Sequence, residues 1–456
     1  MKENMKINQT IFREYDLRGI YEEQITDETA YILGKSFGSY VLLKGQKDVL
    51  VGYDNRLSSP VLANNLIKGL LETGVNVINL GLVTTPMYYY ARIKLNKWAA
   101  IMLTASHNPS NHNGFKISFD EKGNAAGQEI YDFRDFTNDE KFVSGVGNLT
   151  TYDIKEEYIK HVIDNIHLGN KKIKVVFDAG NGTCGIIIKE ILDKLNIEYD
   201  LLYCDSDGSF PNHHPDPSVS ENLVDIQKRV VELNYDLGIA LDADGDRVRI
   251  IDNKGNAINT DVFMIIMYRY LNDKLKIRKG LYDVKCSKAL VDVLEELGLE
   301  NIMYRTGNSY MYRKTREENL EFSGEYSGHI WFADRFDAID DGIYAGLRMV
   351  EMLSLIDKNL DELDNNIPLY YSTDEIKIKT TEIKKVEIVK IIKEYASAKN
   401  YNFNDIDGVR VEFNDGWALI RHSNTGPTIT VRFEANNNNR LEQIQNEFMN
   451  IINENL

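Results

Sequence analysis

The chain has 456 residues, of which 43% are hydrophobic and 27% charged, and a formal net charge of -17. Its length predicts about three or four domains, and its apolar content excludes a disordered chain. The acid excess makes it a poor binder of nucleic acid or membrane surfaces; an anionic substrate would need a local basic cluster.

The N-terminal MKENMKINQT is polar and has no apolar signal-peptide core. No stretch approaches the roughly 20 apolar residues of a membrane span, so a cytoplasmic protein is expected. Cys184, Cys204 and Cys286 are far apart with no C-x-x-C pair, which points to reduced thiols, not to zinc or disulfides.

Along the chain, short β-rich runs alternate with helical patterns. VLVGYD (49–54) precedes PVLANNLIKGLLETG (60–74), and KWAAIML leads into the loop TASHNPSNHNGFK (104–116). KVVFDAG (174–180) precedes IIIKEILDKL (186–195), DLGIAL and VRIIDN read as strands, and GLYDVKC (280–286) precedes SKALVDVLEELG (287–298). Strand followed by amphipathic helix, repeated, predicts α/β architecture with mainly parallel strands. Three of these strands end at Asp54, Asp178 and Asp283, which suggests an internal repeat of three α/β domains; strand-ending turns also favour aspartate. The last ninety residues differ: TDEIKIKT, a helix around 383–397, GVRVEFNDGWALIRHS, TITVRFEA and a final helix predict a smaller α+β domain with antiparallel strands. NNNN (436–439) reads as a turn. The expected domains are 1–150, 151–254, 255–366 and 367–456.

In LDADGDRVRI (241–250), Asp242, Asp244 and Asp246 alternate, and an extended backbone would set all three on one side. Converging carboxylates repel unless a cation sits among them, and hard oxygen ligands favour magnesium or calcium. An EF-hand is excluded, because Arg247 and Asn253 stand where that loop needs glycine and glutamate. A magnesium loop between two strands is expected, with a solvated acidic turn as the alternative.

The Ser–His pair of TASHNP invites a hydrolase reading, but chain neighbours rarely make a nucleophile–base hydrogen bond, and no G-x-S-x-G surrounds Ser106. Ser106 suits a phosphate carrier stabilised by metal and lysine. GEYSGH (324–329) offers groups that grasp sugar hydroxyls. In RHSNTGPTITVRFE (421–434), Arg421, Ser423, Asn424 and Thr425 form a candidate phosphate cradle with backbone N–H groups near Gly426; Arg432 lies on the next strand. Ordinary turns are the alternative for all three. Gly180-x-Gly182-x-x-Gly185, with Asp205 downstream, matches a dinucleotide fingerprint, although nothing else in the chain looks like a redox site.

These segments, with FREYDLRGIY (12–21), GYDNRLSSP (52–60), DAGNGTCG (178–185), FPNHHPDPS (210–218), YDVKCSKAL (282–290) and DDGIYAGLRMVEML (340–353), together resemble the α-D-phosphohexomutase superfamily, phosphomannomutase/phosphoglucomutase branch, over essentially the whole chain. The resemblance implies three related mixed-sheet α/β domains plus a C-terminal α+β domain of the TATA-binding-protein-like type around one central cleft. Phosphoserine, magnesium, sugar-recognition and phosphate-binding loops would follow in that domain order, and the glycine fingerprint becomes a family turn. The implied activity is interconversion of hexose 1-phosphate and hexose 6-phosphate, glucose and/or mannose, through a phosphoserine and a 1,6-bisphosphate. That is an isomerase using Mg2+, with the bisphosphate as activator. Its partner would be a small-molecule sugar phosphate, with no nucleic acid or membrane, and the protein would be a monomer or small homo-oligomer.

Residue by residue, the resemblance makes Ser106 the phosphate carrier. Asp242, Asp244 and Asp246 become the metal ligands, with a phosphoserine oxygen of Ser106 completing the shell. Lys116 and His329 become candidates for general base and acid, the lysine pKa being expected to fall near metal and cations. Arg247 contacts the reacting phosphate or sugar, and Tyr15 and Arg18 match N-terminal active-site positions. Glu325 and Ser327 read hydroxyls, Lys285 senses the non-reacting phosphate, and Arg421, Ser423, Asn424 and Thr425 clamp it. Two positions depart from the family pattern: Asn308 replaces a frequent histidine and cannot transfer a proton, and Tyr326 replaces a frequent methionine, a change of packing. SNTGP and GEYSGH differ from the SGTEP and GEQSGH of phosphoglucosamine mutases, which favours glucose or mannose phosphates. The rival readings are a mutase for glucosamine or pentose phosphates, a magnesium-dependent sugar phosphatase, a non-catalytic sensor, and a distant NAD-linked enzyme.

Overall fold

The computed structural model describes residues 7–423 and 426–456. The chain divides into two compact units, Met1–Asn259 with Ser327–Leu363, and Thr260–Tyr326 with Asp364–Leu456.

The first unit holds two mixed sheets. One runs in the order Leu17–Ile20, His112–Ser118, Ala100–Leu103, Asp48–Tyr53, Asn76–Leu82, Leu149–Thr151. Its last four strands are parallel and its first two run antiparallel. The other runs Ala257–Ile258, Val248–Ile251, Leu237–Leu241, Lys174–Asp178, Glu198–Leu202, again with its last three strands parallel. Val49, Leu50 and Val51, and likewise Val175, Val176 and Phe177, are wholly buried in succession. Continuous apolar runs of that kind belong to parallel strands covered on both faces.

The second unit carries the parallel strands Glu300–Tyr304, Lys279–Asp283 and Phe322–Gly324 and an antiparallel C-terminal sheet. In that sheet Thr428–Ala435 pairs with Gly416–His422, which pairs with Val409–Phe413. Alternation along Gly416–His422 decides its two faces. Ala418 and Ile420 join the core under helices Glu382–Ala398 and Asn438–Asn455, while Trp417 and Leu419 pack on Val284 and Met303. The asparagine run begins the final helix: Asn437 is its N-cap and accepts the Arg440 N–H. It is therefore more than a turn, because asparagine satisfies the orphan donors of a helix start.

The repeat is visible in the sheets. Each α/β repeat places its first strand between its second and third. The repeated aspartates are buried organisers of the loop after the first strand. Asp54 accepts from Ser59 and Arg56 N–H, Asp178 from Gly180 N–H, and Asp283 from Tyr326 N–H and the Thr306 hydroxyl. The three chemical loops, 104–111, 242–247 and 325–329, all leave the C-terminal end of the third parallel strand of their repeat, where open α/β sheets place ligands. Among the described residues no helix is long and apolar enough to cross a membrane.

Asp341 caps helix Gly342–Leu355, accepting from Tyr344 N–H at 2.9 Å and the Tyr158 hydroxyl at 2.6 Å. Burial nevertheless pushes its carboxyl from 3.8 up to about 6. The native state thus holds a proton that the unfolded chain has already lost, so this group favours folding below the unfolded value and turns unfavourable as pH rises through about 6. Asparagine caps equally well and does not ionise. Asp341→Asn is expected to gain about 2–3 kcal/mol relative to the parent between pH 4 and pH 8. Urea unfolding at the two pH values checks this, and a pH-independent difference would refute it.

Candidate active site

The aspartate loop is turned, not extended as its alternation suggested. Gly245 lies at φ +82°, where an added Cβ would collide with Cys184 Sγ. Gly245 and Arg247 N–H both donate to Asp242 Oδ1, at 3.1 and 3.2 Å. The tight loop brings one oxygen each of Asp242, Asp244 and Asp246 within 4.8 Å of one another, all buried. Burial and then the Asp244 and Asp246 charges push Asp242 well above the carboxylate range; burial and then Asp244 also raise Asp246. Burial raises Asp244 too, but Lys116 and a hydrogen bond from Thr85 drive it below the range. Asp244 Oδ1 and Asp246 Oδ1 are buried with no hydrogen-bond partner among the described residues. An all-oxygen set with such lone pairs fits a hard divalent cation.

Ser106 joins this cluster. It follows strand Ala100–Leu103 and takes φ +48°, a left-handed conformation that costs a side-chain-bearing residue roughly 1–2 kcal/mol. Its N–H donates to Thr104 Oγ1 at 2.9 Å and its hydroxyl to Asp242 Oδ2 at 2.7 Å. The left-handed turn also folds His107 Nδ1 to 3.2 Å from Ser106 Oγ, a contact that chain adjacency argued against. Burial, then Arg247 and Arg18, hold His107 well below the usual imidazole range, so the ring is neutral.

Lys116, on strand His112–Ser118, donates to Asp244 Oδ2 at 2.9 Å and to Asp246 Oδ2. The expected fall of its pKa is not what these contacts produce. Burial lowers it, but Asp244 and Asp246 more than reverse that, and the net direction is well above the lysine range. Lys116 is the counter-ion of the triad. His329 Nδ1 faces Asp340 Oδ2 at 3.0 Å and the Asp246 carbonyl at 3.1 Å, and Arg247 Nε donates to His329 Nε2 at 3.1 Å. With two acceptors at Nδ1 and a donor at Nε2, the ring carries its proton on Nδ1 and a lone pair on Nε2. Arg18 donates to Asp16 Oδ2 at 2.5 Å and to Asn108 Oδ1 at 3.0 Å, the latter within the serine loop. Tyr15 is half-buried beside it in the chain.

In the second unit, Arg421 clasps Asp407 through Nε and Nη2 at 3.0–3.2 Å. Lys285 Nζ lies 3.3 Å from Glu375; burial lowers its pKa, and Glu375 and Asp283 raise it above the ordinary range. Ser423 N–H donates to the Thr428 carbonyl at 2.8 Å, and Lys385 Nζ reaches the Ser423 carbonyl at 2.8 Å. Asn424 and Thr425 lie outside the described residues. Asn308 opens helix Asn308–Glu317 after Gly307. Glu325 is buried. The Tyr326 ring lies 4.0 Å beneath the Arg432 guanidinium, so this departure from the family pattern adds a cation–π contact to the packing. In the first unit, Ser327 Oγ is buried with no hydrogen-bond partner among the described residues, as suits a hydroxyl that meets a ligand.

The glycine fingerprint serves the protein's own packing. A Cβ on Gly182 would lie 2.7 Å from Ala243, within the aspartate loop, and one on Gly185 would collide with the Cys204 carbonyl. The residues that sequence reasoning missed are Asp340, Asp407, Glu375, Thr85 and Arg56. All are partners of recognised groups; the places of Arg56, Glu375 and Asp340 in GYDNR, TDEIK and DDGIY hinted at those three, and nothing in the sequence marked Thr85 or Asp407.

Four family profiles match the chain in order: phosphoglucomutase/phosphomannomutase alpha/beta/alpha domain I over residues 9–141, domain II over 156–255, domain III over 259–370, and the C-terminal domain over 375–451. A Pseudomonas syringae pv. tomato protein named phosphomannomutase/phosphoglucomutase is 39% identical over 442 residues, 96% of this chain and 94% of that one. A Neisseria meningitidis phosphoglucomutase is 36% identical over 455 residues, 98% of each. The crystal structure of a phosphoglucomutase/phosphomannomutase family protein from Burkholderia thailandensis superposes with TM-score 0.90 at 34% identity, covering 98% of each chain.

Proposed function

The chain belongs to the phosphoglucomutase/phosphomannomutase family of isomerases, and we propose that it interconverts glucose and mannose 1-phosphates with their 6-phosphates through a phosphorylated Ser106. The observation that carries this reading is the Ser106 hydroxyl seated on Asp242 of a buried three-carboxylate cluster. Asp242, Asp244 and Asp246 would hold Mg2+, which when bound neutralises phosphoryl oxygens.

In the proposed step the bond from phosphorus to Ser106 Oγ breaks as one forms to a sugar hydroxyl oxygen, giving the 1,6-bisphosphate. The second half runs in reverse from the other phosphate. His329 suits the proton acceptor for the hydroxyl once Arg247, whose Nε donates to Nε2 in this structure, turns to the phosphoryl group and frees that lone pair, with Asp340 holding the opposite nitrogen. Lys116, kept charged by Asp244 and Asp246, contributes positive charge beside the transferred group, as do Arg247 and Arg18. The family resemblance assigns the sugar hydroxyls to Glu325 and Ser327, and the non-reacting phosphate to Lys285 and the 421–425 loop. On this reading phosphate displaces Asp407 and Glu375 from Arg421 and Lys285, the planar arginine fork suiting phosphate as it suits carboxylate.

A coupled assay for hexose 6-phosphate, with Mg2+ and a trace of 1,6-bisphosphate, tests the proposal. Glucose and mannose 1-phosphates are expected to turn over at least tenfold faster than glucosamine 1-phosphate. Release of inorganic phosphate without isomerisation would replace the reading with a phosphatase, and no turnover of any hexose phosphate would sink it.

A further inference from the structure

Arg56 is wholly buried, carries no role in the reading above, and lies directly beneath the serine loop. Its Nη2 donates to the carbonyls of Ser106 and Asn108, both at 2.6 Å. Its Nη1 donates to the carbonyls of Pro109 at 2.6 Å and His112 at 3.1 Å. Nε faces Asp54 Oδ2 at 3.2 Å, and the guanidinium lies 5.3 Å from the centre of the Phe210 ring. Asp54 is fixed in turn through its Oδ1, which accepts from Ser59 Oγ at 2.6 Å and Arg56 N–H at 3.1 Å.

Four carbonyl oxygens aimed at one point repel each other and would be costly to bury without donors. Of the side chains only arginine offers enough donors in a fixed planar fork to meet them together; a lysine ammonium has three donors from a single point. The convergence is what the serine needs. Ser106 sits in a left-handed conformation that its side chain opposes, and its carbonyl must be tied down for Oγ to stay 2.7 Å from Asp242. Phosphoryl transfer depends on such placement, and a shift of about 1 Å costs about 100-fold. The same device recurs in the second unit, where Arg410 donates to the carbonyls of Val284 and Cys286, both at 2.7 Å, and Arg432 to that of Lys285, the residue between them.

We propose that Arg56 is a positioning residue of phosphoryl transfer: by gathering the carbonyls of Ser106, Asn108, Pro109 and His112 it holds the nucleophile loop in its strained conformation over the aspartate triad. The claim rests on Ser106 being the phosphate carrier. Arg56→Lys keeps the buried charge and its pairing with Asp54 but cannot satisfy four carbonyls. It is expected to lower kcat per folded molecule at least 100-fold, with KM changed less than threefold. Leu62→Ala, a core cavity in the same domain, should match its loss of melting temperature and keep kcat.

Hydrogen exchange judges the loop independently of activity. Amides of residues 105–112 should lose protection in Arg56→Lys while the strands around them keep it. If Arg56→Lys does not fold, Asp54→Asn takes its place. Its Oδ1 keeps both hydrogen bonds while its amide turns donors against Nε, and a tenfold fall in kcat is expected. A kcat within threefold of the parent, a loss equal to that of Leu62→Ala, or undiminished loop protection would overturn the role of Arg56. A parent enzyme without mutase turnover would instead sink the functional reading, leaving exchange to decide whether Arg56 holds the loop.

Discussion

Ser106→Ala is expected to lower mutase turnover by roughly 10⁴-fold or more, the scale seen when a covalent nucleophile is removed, with the fold intact. Alanine keeps the left-handed backbone at φ +48° no worse than serine, so the loop is not newly strained. What disappears is the hydroxyl that donates to Asp242 Oδ2 at 2.7 Å. A buried carboxylate oxygen without its donor costs about 1–3 kcal/mol. Asp242 is already held above the carboxylate range, so it protonates more readily and part of that cost is relieved. The expected pattern is therefore a near-total loss of kcat, a melting temperature lowered by only a few degrees, and no label retained when the variant is incubated with a 1,6-bisphosphate carrying radioactive phosphate. A variant with more than a few per cent of parental kcat would show that Ser106 is not the carrier.

The parts of this site that were legible from sequence are those whose geometry is local. Asp242, Asp244 and Asp246 lie within one six-residue loop, and any turn tight enough to close between antiparallel strands brings them together. Their alternation suggested the right cluster for the wrong reason, since the turn at Gly245 does the work, not an extended backbone. The glycine fingerprint misled because glycine answers equally to a nucleotide and to a neighbouring loop; only the approach of Ala243 and Cys204 tells them apart. Lys116 was recognisable as a site residue. Its charge state was not, because its partners lie 128 and 130 residues away. Arg56 stood in a motif that was noticed, yet its targets are backbone carbonyls fifty or more residues on, and carbonyls leave no mark on a sequence. Asp407 was invisible, and Asp340 was marked only by its place in DDGIY, for a related reason: an aspartate that steadies a histidine or an arginine is indistinguishable in sequence from one that caps a turn. The repeat was the opposite case. Three aspartates at strand ends were a thin signal, but they mark the first strand of each repeat, and the strand order bears it out.

Asp242→Asn separates what the triad does for catalysis from what it costs the fold. One oxygen of each of the three buried carboxylates lies within 4.8 Å of the others; Lys116 pairs with Asp244 and Asp246, whereas Asp242 has Arg247 Nε only at 4.0 Å. Asp242 is accordingly the member whose charge the site tolerates least: burial first, then its two neighbours, favour its neutral form. An amide of the same shape removes that charge, and its oxygen can still accept the Gly245 and Arg247 N–H groups that meet Oδ1 at 3.1 and 3.2 Å. In EDTA the variant is expected to be more stable than the parent by about 1–2 kcal/mol, as is common where a functional site carries unfavourable charge. Magnesium should reverse the order. A cation that binds only the folded parent stabilises it by roughly 3 kcal/mol at a hundred times its dissociation constant, and an all-carboxylate cluster reduced to two charges binds it far more weakly. Turnover should fall about 10³-fold, in line with the loss of a group that acts on developing charge. Melting curves of the two proteins in EDTA and in millimolar magnesium read both terms together. The expected crossing of their stabilities would show that the three aspartates form a cation site whose repulsion the bare fold must bear. A variant less stable than the parent in EDTA would show instead that Asp242 is a structural carboxylate whose hydrogen bonds outweigh its charge.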